Sequence, residues 1–313
     1  MLLETVNLTK YYGRFLALDK LNIGVKEGEI YGFVGPNGAG KTTAMKILAC
    51  LMNASAGEAY IDGVSVLQQP VKARELIGYM PDFFGVYDNL KVDEYLDFYA
   101  DAHNVPKSER KALSDDLLKL VNLSDKKDKY VDTLSRGMKQ RLCLARSLIH
   151  NPKLLILDEP ASGMDPQARA EMKFILKALK AQGKSILISS HILPELAEMC
   201  DRVCILNKGK VVVSGNMDEI MQAMGRQSKI TIGFLSDADL ENGVAVMRTN
   251  DMVGEMVREG NNVEAVFSGS DEDISKLIKV FALSDINIVS VRKTVQSLEQ
   301  IFLEVIGNAN EVK

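Results

Sequence analysis

The apolar positions of this chain form two kinds of pattern, and each kind predicts a different element. Short runs with almost no polar interruption predict strands that are buried on both faces, as in a parallel sheet. Stretches with apolar residues three or four positions apart predict amphipathic helices. The apolar runs are Glu29–Val34, Leu76–Met80, Lys153–Leu157 and Ser185–Ser190, and the helical stretches include Leu90–Asn104, Ser108–Asn122 and Pro166–Gln182. We therefore predict an α/β fold with a parallel sheet.

The pattern also changes along the chain in a way that predicts separate domains. Residues 2–34 are β-rich and include the strand candidate Leu16–Val25, whereas residues 88–150 have helical periodicity and few strand formers. A polar segment at residues 224–228 precedes an alternating strand pattern and two capping boxes, at Ser270–Asp273 and Ser297–Gln300. We predict a main domain over residues 1–224, with a helical subdomain over about residues 83–150, and a small α+β domain over residues 225–313.

A glycine-rich loop follows the first apolar run and precedes a helix-like stretch, Ala44–Met52. Its spacing fits G-x-x-x-x-G-K-[ST] between a strand and a helix, which is the context that a phosphate-binding loop requires. The backbone N–H groups of such a loop and the helix N-terminus attract an anion. Lys41 would reach the β- and γ-phosphates of a nucleotide, and the Thr42 hydroxyl would be a ligand of Mg²⁺. The predicted loop consists of Gly35, Pro36, Asn37, Gly38, Ala39, Gly40, Lys41, Thr42 and Thr43.

Charged or polar side chains follow the other three apolar runs: Asp82, then the pair Asp158 and Glu159, then His191. The carboxyl end of a strand is where α/β proteins place ligands, and a carboxylate there is costly unless it meets a cation. We therefore predict that Asp158 is a ligand of Mg²⁺. Glu159 would lie near the γ-phosphate, where it orients or deprotonates the attacking water. His191, one of three histidines, is expected to contact the same phosphate.

Two further positions allow both a structural and a functional interpretation. Ser135 is a good N-cap for the helix that follows, and with Gly137 it also offers a second anion site at a helix N-terminus. Tyr12 lies on a loop before the phosphate-loop strand. It either stacks on a purine base or is a half-buried core tyrosine, and the local sequence favours neither interpretation. Asp165, followed by Pro166, is a predicted N-cap of another helix.

Composition and charge limit the classes of function. The 313 residues are 46% hydrophobic and 26% charged, as in ordinary globular proteins. The net charge of −4 gives no electrostatic reason to expect nucleic acid as a primary partner. No apolar run approaches the roughly 18–20 residues that span a bilayer, and the first residues lack the pattern of a signal peptide. The four cysteines have no disulfide spacing, which suits a reducing, cytosolic compartment.

Taken in order, the motifs resemble those of the nucleotide-binding subunits of ATP-binding cassette (ABC) transporters, over about residues 1–220. The motifs are the phosphate loop, Leu134-Ser135-Arg136-Gly137, Leu157-Asp158-Glu159-Pro160 and Ser190-His191. The resemblance implies a P-loop NTPase core with an antiparallel β subdomain and a helical subdomain, which binds ATP and Mg²⁺ and hydrolyses ATP. It also implies adenine stacking for Tyr12, phosphate contact for Ser135 and Gly137, a dimer-contacting loop that ends at Asp165, and a switch role for His191.

Two positions depart from the usual pattern of the family. The family usually has glutamine after the strand that ends near Pro81, whereas this chain has Asp82, whose carboxylate can still bind Mg²⁺ directly or through water. The signature motif is Leu-Ser-Arg-Gly-Met rather than Leu-Ser-Gly-Gly-Gln. Ser135 and Gly137 are retained, so their contact with phosphate is still expected.

The resemblance implies partners as well. In the family, the signature of one subunit completes the phosphate site of another. This chain has one phosphate loop and one signature, so we expect a homodimer with two ATP molecules between its copies. With its C-terminal domain the chain resembles the ATPase subunits of bacterial export systems, whose permease is a separate integral-membrane polypeptide. It is therefore expected at the cytoplasmic side of the cell membrane, bound to that permease.

The sequence leaves two other functions open. Soluble cassette ATPases of translation or DNA repair usually have two cassettes in one chain, or a long coiled-coil insertion, together with basic surfaces, and none of these is visible here. A nucleotide sensor would dimerise with ATP without releasing phosphate, and the presence of Glu159 and His191 argues against it. ATP hydrolysis that drives transport is the function we expect.

Overall fold

The computed structural model describes residues 1–83, 85, 89–216, 219–220 and 228–295. The chain divides into two compact units, Met1–Ile220 and a second unit that begins at residue 221. The boundary predicted at residue 224 and the capping box predicted at Ser297–Gln300 lie outside the described residues and stay predictions. None of the described helices is long and apolar enough to cross a membrane.

The described residues of the first unit form two sheets and include seven α-helices. Its strands are β1 (Leu3–Tyr12), β2 (Phe15–Leu21), β3 (Gly24–Val25), β4 (Ile30–Val34), β5 (Ala56–Ile61), β6 (Val64–Ser65), β7 (Ile77–Met80), β8 (Leu154–Leu157), β9 (Ser185–Ser190), β10 (Arg202–Asn207) and β11 (Lys210–Gly215). Its helices are α1 (Lys41–Leu48), α2 (Pro70–Glu75), α3 (Val92–Ala102), α4 (Lys107–Leu120), α5 (Arg136–Ser147), α6 (Pro166–Ala181) and α7 (Leu193–Ala197).

The predicted apolar runs form a six-stranded sheet in the order β11-β10-β4-β9-β8-β7. Neighbouring strands are parallel, except for the antiparallel pair β10 and β11. Every residue of β4, β8 and β9 is buried, as expected for strands that are covered on both faces. The prediction of a parallel sheet is confirmed.

The second sheet of this unit is antiparallel and contains β1, β2, β3, β5 and β6. The prediction of one strand over Leu16–Val25 is wrong, because this segment divides into β2 and β3, which pair with different parts of β1. Lys20 has φ 51°. The Asn22 side chain donates to the Lys20 carbonyl oxygen at 2.8 Å and accepts from the Asn7 backbone N–H at 2.8 Å. These two side-chain hydrogen bonds take the place of ladder hydrogen bonds and end β2.

Helix α1 shares one hydrophobic core with both sheets. Its Ala44, Met45, Ile47 and Leu48 are fully buried and cluster with side chains from strands of the antiparallel sheet and of the parallel sheet. Burial of this kind stabilises by roughly 1.5–3 kcal/mol for each large apolar side chain. The loop that precedes α1 is therefore anchored between a strand and a helix that are both held by the same core.

The second unit is an α+β structure in its described part. It contains β12 (Ser228–Phe234), α8 (Asp237–Arg248), β13 (Val253–Glu259), β14 (Asn262–Phe267), α9 (Asp271–Leu283) and β15 (Ile288–Val295). The strands form an antiparallel sheet in the order β13-β14-β12-β15, and this β-α-β-β-α-β order is the ferredoxin-like arrangement. The capping box predicted at Ser270–Asp273 is confirmed at the start of α9.

Two of the three histidines stack on each other in the first unit. His103, at the end of α3, and His150, after α5, have ring centroids 4.2 Å apart and an interplanar angle of 7°. Nε2 of His150 lies 2.8 Å from the carbonyl oxygen of Ile77 in β7. Burial lowers the pKa of both histidines, and the charges of His103 and Lys184 lower that of His150 further. The folded state therefore prefers two neutral rings.

We expect mild acid to destabilise the first unit through this pair. Because both folded pKa values lie below the ordinary value of 6.5, the unfolded chain binds more protons, and the free energy of unfolding falls as the pH drops below about 6.5. Chemical denaturation at about pH 7.5 and about pH 5.5 measures the fall. His103→Phe keeps a ring in the stack and should show a smaller fall, so an equal fall in both proteins would contradict this account.

Candidate active site

The strand order brings the predicted functional residues to one edge of the parallel sheet. Strands β4, β9, β8 and β7 are consecutive neighbours. Gly35, His191 and Asp158 directly follow the first three of these strands, and Asp82 lies two residues after β7. Because the strands are parallel, their carboxyl ends lie on the same side of the sheet, where α/β proteins bind ligands. Four segments that are distant in sequence therefore meet at one place.

The loop Gly35–Thr43 leads directly into α1. Gly40 is the N-cap of α1 and has φ 106°, and a Cβ at this residue would lie 2.7 Å from the Ala17 carbonyl oxygen, so only glycine fits there. No side chain caps the first turn of α1. The buried Lys41 ammonium donates to the Gly35 carbonyl oxygen at 2.6 Å. The uncapped helix N-terminus and this fixed cation together favour an anion.

An open cavity of about 350 Å³ lies against this loop, within the size range of small-molecule sites. Its wall includes most of the predicted site residues, namely Tyr12, Pro36, Asn37, Gly38, Ala39, Gly40, Lys41, Thr42, Thr43, Asp82, Glu159 and His191. Phe15, Ala17 and Ser162 also belong to the wall, and the sequence motifs do not indicate them. The structure thus places phosphate-loop, aromatic and acidic residues around one space.

Glu159 connects Lys41 to His191. One carboxylate oxygen of Glu159 lies 3.5 Å from the Lys41 ammonium, and the other lies 2.9 Å from Nδ1 of His191. The Glu159 side chain is 13% exposed and that of His191 is 50% exposed. Glu159 has φ 50°, a left-handed conformation that costs about 1–3 kcal/mol for a residue with a side chain. The surrounding contacts hold this carboxylate at the cavity wall despite that cost.

Asp158, directly after β8, is fully buried. Its Oδ1 accepts a hydrogen bond from the Ser189 hydroxyl at 2.7 Å, and its Oδ2 has no hydrogen-bond partner among the described residues. Burial raises the pKa of Asp158, the nearby hydroxyls of Ser189 and Thr42 oppose this rise, and the charges of Asp82 and Glu159 add to it. A buried carboxylate with an unpartnered oxygen is the arrangement that a cation stabilises.

The donor set of Thr42, Asp82 and Asp158 fits Mg²⁺, a hard cation that prefers oxygen ligands. In the part of the chain that the structure describes, no three His, Cys, Asp or Glu side chains converge to hold a metal by themselves. This agrees with the usual binding of Mg²⁺ through one or two carboxylates, with phosphates and water as the remaining ligands. The fit depends on the unpartnered Oδ2 of Asp158.

Tyr12 and Phe15 form an aromatic part of the cavity wall, at the turn between β1 and β2. They are 46% and 63% exposed, so neither is a core residue. The Tyr12 hydroxyl donates to the sulfur of Met52 at 3.0 Å, and the Lys10 ammonium lies 5.5 Å from the Tyr12 ring centroid. Of the two interpretations of Tyr12, the exposed ring beside the phosphate loop favours stacking on a base.

Ser135, Gly137 and Asp165 do not belong to the wall of this cavity. Ser135 and Asp165 are confirmed as N-caps, since they accept hydrogen bonds from the backbone N–H groups of Met138 and Ala168. Gly137 is buried, and a Cβ there would lie 3.0 Å from the Cβ of Ala168. Within one chain, Gly137 therefore allows α5 to pack closely on α6.

The start of α5 also contacts the loop that joins Glu159 to α6. The Gln140 side-chain amide donates to the Ser162 carbonyl oxygen at 3.1 Å. The guanidinium of Arg136 lies against Gly163. Arg136, which departs from the usual signature, thus packs on this loop of its own chain.

Ser189 is a residue of the site that no motif indicates. It lies in β9, is fully buried, and donates its hydroxyl to Asp158. The signal for it in the sequence is that the otherwise apolar run Ser185–Ser190 ends in two serines, because hydroxyls in a buried strand need hydrogen-bond partners. The run alone does not say which partner each hydroxyl has.

Comparison with known proteins decides the family. The family model for ABC transporters matches residues 18–162. The bacitracin transport ATP-binding protein BcrA of Bacillus licheniformis is 35% identical, over 98% of this chain and 97% of its own length. This chain belongs to the ABC transporter ATP-binding proteins. The Nod factor export ATP-binding protein I of Burkholderia orbicola (strain AU 1054) is 40% identical, over 67% of this chain and 69% of its own length.

A solved structure supports the fold and the activity of this ABC ATP-binding protein. It is a dimeric ATP-binding cassette in a post-hydrolysis state bound to ADP and Pi, with a TM-score of 0.63 and 26% identity, over 69% of this chain and 98% of its own. The predicted P-loop NTPase fold is confirmed, and the protein is an ATPase that binds ATP.

Proposed function

We propose that this ABC ATP-binding protein powers an exporter, in which ATP binding closes two copies of the chain and hydrolysis opens them again. The contact of Glu159 with both Lys41 and His191 at the cavity wall carries the proposal, because it places an acid, a cation and an imidazole beside the phosphate loop. The full-length similarity to a bacitracin transport protein supports transport as the function, and the similarity to a Nod factor export protein supports its direction.

Lys41 and Glu159 have complementary parts in the proposed reaction. Lys41 is shared between the Gly35 carbonyl oxygen and Glu159. The phosphates of ATP draw this ammonium toward them, because a charge-assisted bond to phosphate is stronger than one to a carbonyl. Glu159 then faces the γ-phosphate and takes a proton from the attacking water. As the water oxygen bonds to the γ-phosphorus, the bond to the bridging oxygen breaks, and ADP and phosphate remain.

The residues proposed to hold Mg²⁺ are Thr42, Asp82 and Asp158. When bound, Mg²⁺ supplies positive charge that neutralises the phosphates. Asp158 presents its unpartnered Oδ2 from a buried position. Asp82 lies in the cavity wall, and its charge is close enough to raise the pKa of Asp158. An acid at this position makes the metal site more negative than the glutamine usual in the family would.

The second copy is proposed to complete the nucleotide site. Ser135 and Gly137 lie outside the cavity wall of their own chain, so phosphate contact by these residues requires another copy. Asp165 ends a loop that is joined to the start of α5 and is proposed to lie at the same interface. The dimeric state of the solved ATP-binding cassette supports this assembly.

The proposed membrane partner is a separate integral-membrane permease, which recognises the transported compound and holds this chain at the cytoplasmic side of the membrane. The support is the description of the relatives as ATP-binding proteins of transport or export systems. Nucleic acid is not proposed as a partner, since the net charge of −4 provides no general attraction to it.

Replacing Glu159 with glutamine tests the catalytic assignment. Glu159→Gln keeps the size of the side chain but removes the base, so the turnover number should fall by roughly 100-fold or more. ATP binding should persist and should trap the dimer. Phosphate release measures turnover, and light scattering with ATP measures the dimer.

Glu75→Gln, at the exposed end of α2, is the matched control and should hydrolyse ATP like the original chain. If Glu159→Gln also hydrolysed ATP at the original rate, Glu159 would not be the base. If ATP failed to trap the dimer, the proposed closure of two copies would be wrong.

Replacing Lys41 with alanine tests the phosphate assignment. Lys41→Ala removes the buried cation of the loop and should weaken ATP binding by about 10-fold to 150-fold, since a hydrogen bond to a charged group contributes about 1.5–3 kcal/mol. Lys46→Ala, in the last turn of the same helix and outside the cavity wall, should bind ATP normally. Equilibrium titration with a fluorescent ATP analogue gives both affinities, and equal affinities would contradict the assignment.

A further inference from the structure

One hydroxyl group in the site contacts both residues that directly follow β8. Ser189, in the neighbouring strand β9, is fully buried. Its Oγ donates to Oδ1 of Asp158 at 2.7 Å and accepts a hydrogen bond from the backbone N–H of Glu159 at 2.9 Å. The donor proton of the hydroxyl and one acceptor position are thus both in use, which fixes the direction of both hydrogen bonds.

Each of the two hydrogen bonds acts on a different property of the site. The bond to Oδ1 fixes the plane of the Asp158 carboxylate and leaves Oδ2 as its unpartnered oxygen. The bond from the backbone N–H holds Glu159 in its left-handed conformation, with φ 50°. That conformation places the Glu159 carboxylate between Lys41 and His191. A single side chain therefore sets where both acids point.

We propose that Ser189 is a positioning residue for ATP hydrolysis, which orients Asp158 toward Mg²⁺ and Glu159 toward the attacking water. The proposal rests on the function proposed above and adds to it a residue that acts on two acids at once. Partners that orient a metal ligand in this way typically change metal affinity or activity by 10-fold to 100-fold when they are removed.

The next residue along β9 provides a matched control. Ser190 is also buried, at 6% exposure. Its hydroxyl accepts a hydrogen bond from the Ile192 backbone N–H at 3.0 Å and lies 3.5 Å from the Glu195 carboxylate. These contacts do not include Asp158 or Glu159. Ser190→Ala therefore removes a buried serine hydroxyl from the same strand without removing a bond to either acid.

The test uses the full chain and separates the hydroxyl from the volume of the side chain. Ser189→Ala deletes the hydroxyl. Ser189→Thr and Ser189→Val introduce side chains of the same shape, of which only threonine has a hydroxyl. Thermal melting establishes that each variant is folded. The readouts are the Mg²⁺ concentration that half-saturates ADP binding, the ADP affinity in EDTA, and the turnover number at saturating Mg²⁺.

We expect Ser189→Ala and Ser189→Val to need about 10-fold to 100-fold more Mg²⁺ for half-saturation and to lose turnover even at saturating Mg²⁺. Their ADP affinity in EDTA should be unchanged, because the phosphate loop is intact. Ser189→Thr should give values close to those of the original chain in all three readouts. Ser190→Ala should leave the Mg²⁺ requirement unchanged.

The inference about Ser189 would be overturned if Ser189→Thr and Ser189→Val gave the same values in the three readouts. It would also be overturned if Ser189→Ala needed no more Mg²⁺ than the original chain. Either result would leave the proposed function intact. Equal losses in Ser189→Ala and Ser190→Ala would also overturn the inference, because they would indicate a general effect on the strand. If the original chain needed no Mg²⁺ for hydrolysis, both the proposed function of the site and this inference would be wrong.

Discussion

The site depends on a carboxylate buried at the end of an apolar strand. All four residues of β8 are buried, and Asp158 follows them with no exposed surface. An isolated carboxylate in such a place would lose its hydration and take up a proton. Its charged form needs hydroxyls and a cation, and the neighbouring parallel strands can supply them because their carboxyl ends meet at the same edge. Ser189, Thr42 and the fit to Mg²⁺ are the consequences of that requirement.

The two acids after β8 are stabilised in different ways. Glu159 is paired with a cationic side chain of the protein, since the Lys41 ammonium lies 3.5 Å from one carboxylate oxygen. Nδ1 of His191 lies 2.9 Å from the other oxygen. Among the described residues, Asp158 accepts a hydrogen bond from the Ser189 hydroxyl at one oxygen and keeps the other oxygen unpartnered. The contrast matches the proposed division of roles, in which a metal binds one acid and the attacking water binds the other. The left-handed conformation of Glu159 belongs to this arrangement. It directs the Glu159 side chain to Lys41 and His191, while the side chain of the preceding residue, Asp158, reaches Ser189.

The elements that the sequence predicted well are those in which one local rule decides the structure. Continuous apolar runs predicted β4, β8 and β9, and single polar residues predicted the N-caps Ser135 and Asp165. Helix α2 was not predicted, because it is short and only Ala73 is buried. The pattern of Leu16–Val25 predicts one strand, whereas the structure has two. The difference arises from hydrogen bonds of the Asn22 side chain with the backbone of Asn7 and Lys20, which no periodicity of the sequence reveals.

Within the site, the sequence predicted the residues that belong to motifs and missed those that act by contact. Glu159 and His191 follow from their places after buried strands, whereas Phe15 joins the cavity wall only because the turn after β1 bends back to the phosphate loop. Ser189 was missed for a similar reason. A serine at a strand position is compatible with many partners, and only the register of β9 beside β8 shows that its partner is an acid.

The start of α5 packs on α6 and on the loop between Glu159 and α6. A Cβ at Gly137 would lie 3.0 Å from the Cβ of Ala168, Gln140 donates to the Ser162 carbonyl oxygen at 3.1 Å, and Arg136 lies against Gly163. These contacts join the start of α5 to the loop that begins at Glu159. In a close-packed region a displacement of one element is transmitted to its neighbours. The start of α5, which the proposed dimer would bring to the nucleotide of the other copy, is therefore joined by direct contacts to the loop that follows Glu159 in its own chain.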